Sequence, residues 1–350
     1  MDRLAYIARR LLLVIPTFIG ITLLCFSLTR FLPGGPIEMR LMRMRGMGGA
    51  EGAGAASSQS ATASVTEEYR QELERQYGFD RPIYEQYWNW LVTNRMGMKL
   101  YSYQYPNKTA WELISRRIPV SVWFGLASFL LTYLICIPLG IAKALRHRQA
   151  FDAASSLIVF VSYAIPSFAL AMGLRMLLCG TLDGGWDLFP LGGISSDFAT
   201  EPTAWEWFKD RAWHMALPIA CYVAGSFAML TLLMKNSLLD QISADYIRTV
   251  IAKGATRRRA IWGHAFRNAL IPIATGLGPM IGLLFAGSII IESVFEIPGM
   301  GLLSWNAMIG RDYNVFLALL ALTASFQLVG NIISDVLYML IDPRSDFTKK

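Results

Sequence analysis

Charge is scarce in this 350-residue sequence: Asp, Glu, Lys and Arg together make up 16% of it, against about 25% in an ordinary soluble domain. With 54% apolar residues, the chain has too little polar surface to cover itself in water, which excludes an ordinary soluble globule. Histidine is rare as well. His147, His214 and His264 stand apart from one another, and neither HExxH nor a His/Cys group of metal-ligand spacing occurs. The four cysteines (Cys25, Cys136, Cys179 and Cys221) lie inside or at the edge of apolar runs. They form neither a disulfide framework nor a metal pattern, and read as small packing residues. No GxxxxGK[ST] phosphate loop is present, so the chain is not expected to hydrolyse ATP itself. Ser226 and Ser288 follow glycine within apolar runs, but Gly-Ser pairs are common packing elements in membrane helices. They do not make an intramembrane protease the favoured reading.

What the sequence does contain is six windows free of Asp, Glu, Lys and Arg: residues 11–29, 118–142, 153–174, 212–234, 268–291 and 313–334. Each approaches or exceeds the roughly 20 residues that an α-helix needs to cross a bilayer. Their apolarity is continuous rather than alternating, which excludes β-barrel strands. The expected fold is an all-α integral membrane protein with about six transmembrane helices. The first window follows Arg9 and Arg10 but is longer than the apolar core of a signal peptide and lacks a small-x-small cleavage site before Arg30. It reads as a retained span.

Lys and Arg fall on alternate sides of these spans. Arg3, Arg9 and Arg10 precede the first span, and Lys143, Arg146 and Arg148 follow the second. Lys235, Arg248, Lys253, Arg257, Arg258, Arg259 and Arg267 follow the fourth, and Arg344, Lys349 and Lys350 follow the sixth. The other short loops are acidic, carrying Asp183, Asp187, Asp197, Glu201, Glu206 and Asp210 in one and Glu292, Glu296 and Asp312 in the other. The positive-inside rule then puts both termini in the cytoplasm. The net charge of +7 is accounted for by this bias toward anionic lipid and calls for no nucleic acid.

The chain is expected to divide into a tail and first span (1–31), an external segment (32–117), a five-helix core (118–341) and a cytoplasmic tail (342–350). Within the external segment, residues 46–64 are rich in Gly, Ala and Ser and read as a flexible insertion. A helix is expected over residues 66–77, followed by an aromatic run (Tyr84, Tyr87, Trp88 and Trp90) suited to the outer membrane surface. Pro16, Pro138, Pro166, Pro218 and Pro279 lie within spans and are expected to kink several helices. Gly278 and Gly282 form a GxxxG that permits close helix contact. Arg175 is read as snorkelling to the external surface. Asp335, near the cytoplasmic edge, is either functional, as intramembrane charge tends to be, or paired with an Arg or Lys.

The loop after the fourth span, residues 235–267, is far longer than a turn requires. Ser243 or Asp245 can begin a helix, Gly254 suits a left-handed helix stop, and Thr256 can cap a second helix containing Arg257, Arg258, Arg259 and Trp262. Such a bent pair suits docking into a partner's groove. A basic helix lying on lipid is the competing reading.

Several segments resemble one family. These are RRLLLVIPTFIGITLLCFSLTRFLPGGP from Arg9, YGFDRPIYEQYWNWL from Tyr77 and DYIRTVIAKGATRRRAIWGHAFRNALIP from Asp245, followed by GSIIIESVFEIPGMGLL from Gly287, RDYN from Arg311 and NIISDVLYMLIDPR from Asn331. In order and extent they resemble the inner-membrane permease subunits of bacterial ABC importers, in the oligopeptide/dipeptide/nickel branch. The loop motif departs from the wider family's Glu-Ala-Ala opening, with Arg248-Thr249-Val250 in its place, and Gly35 replaces the usual Asp after the first span's Pro-Gly. The long insertion resembles the subgroup that imports peptides and the peptide-nucleotide antibiotic microcin C.

The resemblance implies an ABC importer type I permease fold and a multi-pass subunit of the bacterial inner membrane that carries peptides from periplasm to cytoplasm. It implies a second, different permease subunit, ABC ATPase subunits and a periplasmic substrate-binding protein as partners, besides membrane lipid. The chain would hold no cofactor, ATP and magnesium being bound by the ATPase. The ATPase-coupling residues carried over are Ala252, Lys253, Gly254, Ala255 and Thr256, with Arg257 and Trp262 beside them. Alternatives are a permease for nickel or another small solute, and a stand-alone secondary transporter or channel.

Overall fold

A computed structural model describes residues 3–31, 37, 70–75, 79–105, 107–181, 185–196 and 202–341. The insertion at 46–64 lies outside the described residues. So does part of the helix expected over 66–77, of which residues 70–75 are helical. Among the described residues the chain is helical, with two isolated β-bridges in place of any strand. Lipid supplies no hydrogen bonds, so a spanning backbone must satisfy itself internally, and a helix does so.

In chain order the helices are α1 (Arg3–Phe31), α2 (Ile83–Trp88), α3 (Ala110–Leu145), α4 (Ala150–Ala164), α5 (Ser167–Leu178), α6 (Ala204–Ser243) and α7 (Asp245–Ala252). They continue as α8 (Arg257–Ala260), α9 (Phe266–Ala269), α10 (Ile271–Thr275), α11 (Leu277–Ala286), α12 (Ile289–Val294), α13 (Met300–Ile309) and α14 (Tyr313–Ile341). Among the described residues four helices are continuous, long and apolar enough to cross a membrane: Ile7–Arg30, Ala110–Leu145, Ala204–Ser243 and Tyr313–Leu337. The pair α4 and α5 has the length and apolarity of a fifth span but is bent by 93° at its break, the shape of a broken span or of a re-entrant loop. The bend falls at Ile165-Pro166, where Ile165 is extended (φ −88, ψ 116) and Pro166 stands immediately before α5. Proline forces its predecessor out of the helical region and cannot donate to the preceding turn. Helices α1, α3 and α6 continue through Pro16, Pro138 and Pro218 without a break. The apolar window at 268–291 is divided among short helices, α10, α11 and the start of α12, rather than forming one rod. It contains Pro272, Gly276, Gly278, Pro279, Gly282 and Gly287, and each Gly or Pro weakens a helix interior.

The chain forms two compact units. The larger comprises Met1–Val14, Arg117–Leu303 and Ser325–Lys350. One of its cores gathers Phe124, Met215, Cys221, Ile291 and Phe295; another gathers Met234, Leu238, Ile247, Ala260 and Ala265 beneath the loop that follows α6. Gly282 meets α14 closely, because a Cβ there would lie 3.0 Å from the Gln327 Cα. The side chain of α6's Thr203 caps the helix in a reciprocal box with Glu206.

The smaller unit comprises Ile15–Arg116 and Ser304–Ala324. Phe26 packs edge-on to Tyr87 at 5.5 Å and beside Trp90 at 5.8 Å, with Leu317 and Ala321 completing the core. The aromatic run thus splits. Tyr84 and Trp88 are exposed, as a surface anchor requires, whereas Trp90 is buried. On the lipid-length helices, large apolar side chains such as Leu12, Leu134 and Met229 are exposed, a pattern that suits lipid and not water.

Candidate functional site

The loop after α6 is a helix–turn–helix built by local hydrogen bonding. Helix α7 is followed by its C-terminal cap Lys253 and then by Gly254 with φ +90. The Gly254 N–H donates to the Ile251 carbonyl at 2.9 Å and the Ala255 N–H to the Val250 carbonyl at 3.3 Å. This is the paired pattern of a Schellman stop. The Thr256 hydroxyl then accepts from the Arg259 N–H at 3.4 Å and caps α8. No atom lies within 4 Å of a Cβ built on Gly254. Backbone conformation, not crowding, therefore demands glycine at this bend.

Burial divides the loop into two faces. Ile247, Ala260, Ile261, Ala265 and Ala269 are buried within the larger unit. Ala252, Lys253, Gly254, Thr256, Arg257 and Trp262 are exposed, and Ala255 is half-buried. Six of the seven residues carried over from the sequence are therefore exposed, and the seventh, Ala255, is half-buried. An open concavity of about 530 Å³ beside them is lined by Thr256, Arg258, Arg259, Trp262 and Gly263. Trp262 packs against Phe266 with ring centroids 5.4 Å apart. A clasp unseen in the sequence ties the two arms. The Tyr246 hydroxyl donates to Gln241 Oε1 at 2.8 Å and accepts from Asn268 Nδ2 at 3.1 Å.

Behind the loop lies a buried charge cluster. Lys143 of α3 is wholly buried. Its Nζ lies 3.2 Å from Asp152 Oδ1 and donates to the Ser155 and Ser156 hydroxyls, each at 2.8 Å. Lys235 of α6 reaches the two oxygens of the same carboxylate at 2.7 and 2.9 Å. His147 Nδ1 is 3.3 Å away, and the Arg148 N–H donates to Asp152 at 3.2 Å. Lys143 and Lys235 contribute to the cytoplasmic charge bias in the sequence, yet both are spent on ties between helices. Breaking a buried pair leaves an uncompensated charge, so such a cluster fixes geometry.

A second buried acid, Glu292, sits in the apolar hairpin from α12 to α13. Its carboxylate accepts from the N–H groups of Ser288 (3.2 Å) and Leu302 (2.9 Å) and from the Ser121 hydroxyl (3.4 Å). That hydroxyl accepts in turn from the Met300 N–H at 2.7 Å. A Cβ on Gly287 or Gly299 would collide with the carboxylate. Asp312, in the smaller unit, is likewise buried and accepts from the Ser102 hydroxyl and the Gln104 N–H. Two of the acids counted as loop charge are thus internal fasteners, and the orientation reading rests on Lys and Arg, as the rule requires.

Asp335 pairs with Arg10 at 3.3 Å, which is the structural one of its two readings. Arg175 donates to the Val294 carbonyl and pairs with Glu296 at 2.9 Å.

The model of the family described as "binding-protein-dependent transport system inner membrane component" matches residues 136–346, more than half of the chain and the whole of the loop. The inner membrane ABC transporter permease protein YejB of Escherichia coli O157:H7 is 37% identical, covering 98% of this chain and 99% of its own. The peptidoglycan transport system permease protein YejB of Agrobacterium fabrum is 35% identical over 99% of both. The dipeptide transport system permease protein DppB of Escherichia coli K12 is 31% identical over 97% of this chain and 98% of its own. The chain therefore belongs to the inner membrane components of binding-protein-dependent transport systems, as a multi-pass permease and not itself an enzyme.

Proposed function

We propose that this chain is a permease subunit that carries peptides inward, driven by ATP hydrolysis on a partner ATPase that docks on the loop at residues 235–267. The observation that carries the reading is the two-faced loop. Its inner face is packed and clasped, while its outer face presents Ala252, Lys253, Gly254, Ala255, Thr256, Arg257 and Trp262 around a left-handed turn. A rigid knob on a spanning helix is what a partner needs in order to move that helix. The names of relatives, a dipeptide permease among them, support a peptide cargo, and the insertion at 46–64 extends it toward conjugates such as microcin C.

In this reading both termini and the loop face the cytoplasm, and residues 32–117 face the periplasm, where a substrate-binding protein delivers cargo. A second, different permease subunit completes the pathway. ATP and magnesium reside on the ATPase. Closure of the ATPases pulls the docked loops. Because α6 carries both the loop and Lys235, the pull passes through the Lys235–Asp152–Lys143 cluster to α4 and α3. The switch is a rigid-body movement between two packed states.

The test is to purify the tagged chain in detergent and identify what accompanies it by mass spectrometry. A second permease and an ATPase are expected, and the ATPase is expected to be lost from an Arg257→Glu/Trp262→Ala variant. Purification of the chain alone, still active in liposomes, would refute the reading.

A further inference from the structure

Helix α14 carries polar side chains within its spanning stretch, and they share one side. Gln327, Asn331 and Asp335 follow one another at intervals of four, the spacing of one helix face. At about 1.5 Å per residue, Gln327 lies about 21 Å from the Tyr313 end of the stretch and about 15 Å from its Leu337 end. Asn331 is one turn further on. Asp335, nearer the end, pairs with Arg10, whereas the two amides lie deeper.

The neighbours of these residues show which side of the helix this is. Phe326 stacks on Phe285 of α11 with ring centroids 3.7 Å apart. Gly330 is buried, and the buried Ser334 hydroxyl donates to the Thr275 carbonyl of α10 at 2.5 Å. These residues form the packed side. On one flank of it, Val329 (49% exposed) and Ile333 (39% exposed) are apolar and open, which suits lipid. Two residues along a helix make a turn of about 200°, so Asn331, also exposed, points away from both. Helix α14 thus has one open side that is apolar and another that bears an amide.

The amides are held in place. A Cβ on Gly282 of α11 would collide with Gln327 Oε1, so glycine there makes room for the amide. Gln327 Nε2 donates to Asn331 Oδ1 at 3.2 Å. That is the one hydrogen bond of the Asn331 side chain among the described residues, and it leaves Nδ2 as a donor on the open side. An unsatisfied amide in lipid is costly, and polar groups at membrane depth face the bundle interior or a water-filled passage.

We propose that Gln327 and Asn331 line the transport path, and that the Asn331 amide bonds the backbone of a peptide passing through it. A side-chain amide matches a peptide group, donating to its carbonyl and accepting from its N–H, whatever the peptide's side chains are. The inference rests on the peptide cargo proposed above. A polar helix of the second permease would also satisfy such amides, and the experiment separates the two.

Asn331→Cys and Val329→Cys are compared in the full complex that co-purifies with the chain, in liposomes, using a charged methanethiosulfonate that does not enter lipid. Modification is read by peptide mass spectrometry at the introduced residue, so the native cysteines remain. Asn331→Cys is expected to react at least about tenfold faster, since a thiol in lipid neither ionises nor meets the reagent, and trialanine supplied with ATP is expected to slow it. Asn331→Leu, altered at an exposed position, is expected to keep its ATP hydrolysis and lose uptake of trialanine about fivefold, the scale of one hydrogen bond, with Asn331→Gln in between. Two equally inert cysteines (the face then being buried against the second permease), labelling that trialanine leaves unchanged, or uptake by Asn331→Leu equal to wild type would each overturn the inference, and peptide uptake by wild type would leave the function proposed above standing. Absence of peptide uptake by wild type would refute that function, and this inference with it.

Discussion

Lys235 of α6 and Asp152 of α4 are 83 positions apart in sequence and joined at 2.7 Å, with Lys143 of α3 3.2 Å from the same carboxylate oxygen. One acid therefore ties three helices at the base of the loop. Asp152→Asn would leave two ammonium groups with no counter-charge, at a cost of about 3–5 kcal/mol. Lys143→Met leaves the Lys235–Asp152 pair intact and should cost less. Thermal unfolding in detergent, followed by size-exclusion fluorescence, should rank wild type above Lys143→Met and Lys143→Met above Asp152→Asn.

Gly254 is governed by conformation. Its φ is +90 and the space around it is open, so residues should be tolerated according to their ease in the left-handed region. Uptake should fall in the order Gly, Asn, Ala, Val, with Ala costing the turn about 1 kcal/mol. An order set by side-chain volume, with Ala ahead of Asn, would show that crowding by the partner governs the position instead.

The clasp at Tyr246 is a three-residue unit. Tyr246→Phe should cost about 1 kcal/mol, and Asn268→Ala, combined with it, should add less than it costs alone. Equilibrium unfolding of the two single variants and the double variant measures that coupling. Strict additivity would mean that the hydroxyl makes no joint contribution.

Glu292 serves as an acceptor for donors from two elements. Glu292→Ala would orphan the Ser288 and Leu302 N–H groups, at about 1–3 kcal/mol for each buried group. Glu292→Gln retains one acceptor and the shape, so its melting temperature should lie between those of wild type and Glu292→Ala. Gly299→Ala, which drives a methyl group into the carboxylate, should resemble Glu292→Ala.

Much of the architecture was legible because lipid selects strongly: runs without charge are conspicuous, and the helices at 110–145, 204–243 and 313–341 lie over them. The bend at Ile165-Pro166 and the divided window at 268–291 follow from proline and glycine, whose effects are local. The turn at Gly254 and the cap at Thr256 were legible for the same reason. The charged fasteners were not. Nothing near Lys143 in sequence reveals that it is buried, and Lys235, its fellow tie on Asp152, lies on another helix. Counting charges by loop makes Glu292 and Asp312 surface acids, because the distant Ser121 and Ser102 hydroxyls that help to satisfy them, and the Gln104 N–H at Asp312, are not evident from their loops. Asp335 had two readings until Arg10 was placed beside it.

The central claim is that the loop transmits ATP hydrolysis to the pathway. It is tested by reconstituting the chain with its co-purifying permease and ATPase in liposomes and measuring peptide uptake and ATP hydrolysis together for wild type and Gly254→Val. The account predicts that hydrolysis continues in the variant while uptake falls at least about tenfold, the scale of 1.4 kcal/mol or more lost in coupling. Uptake by Gly254→Val equal to wild type, at equal protein level, would contradict it.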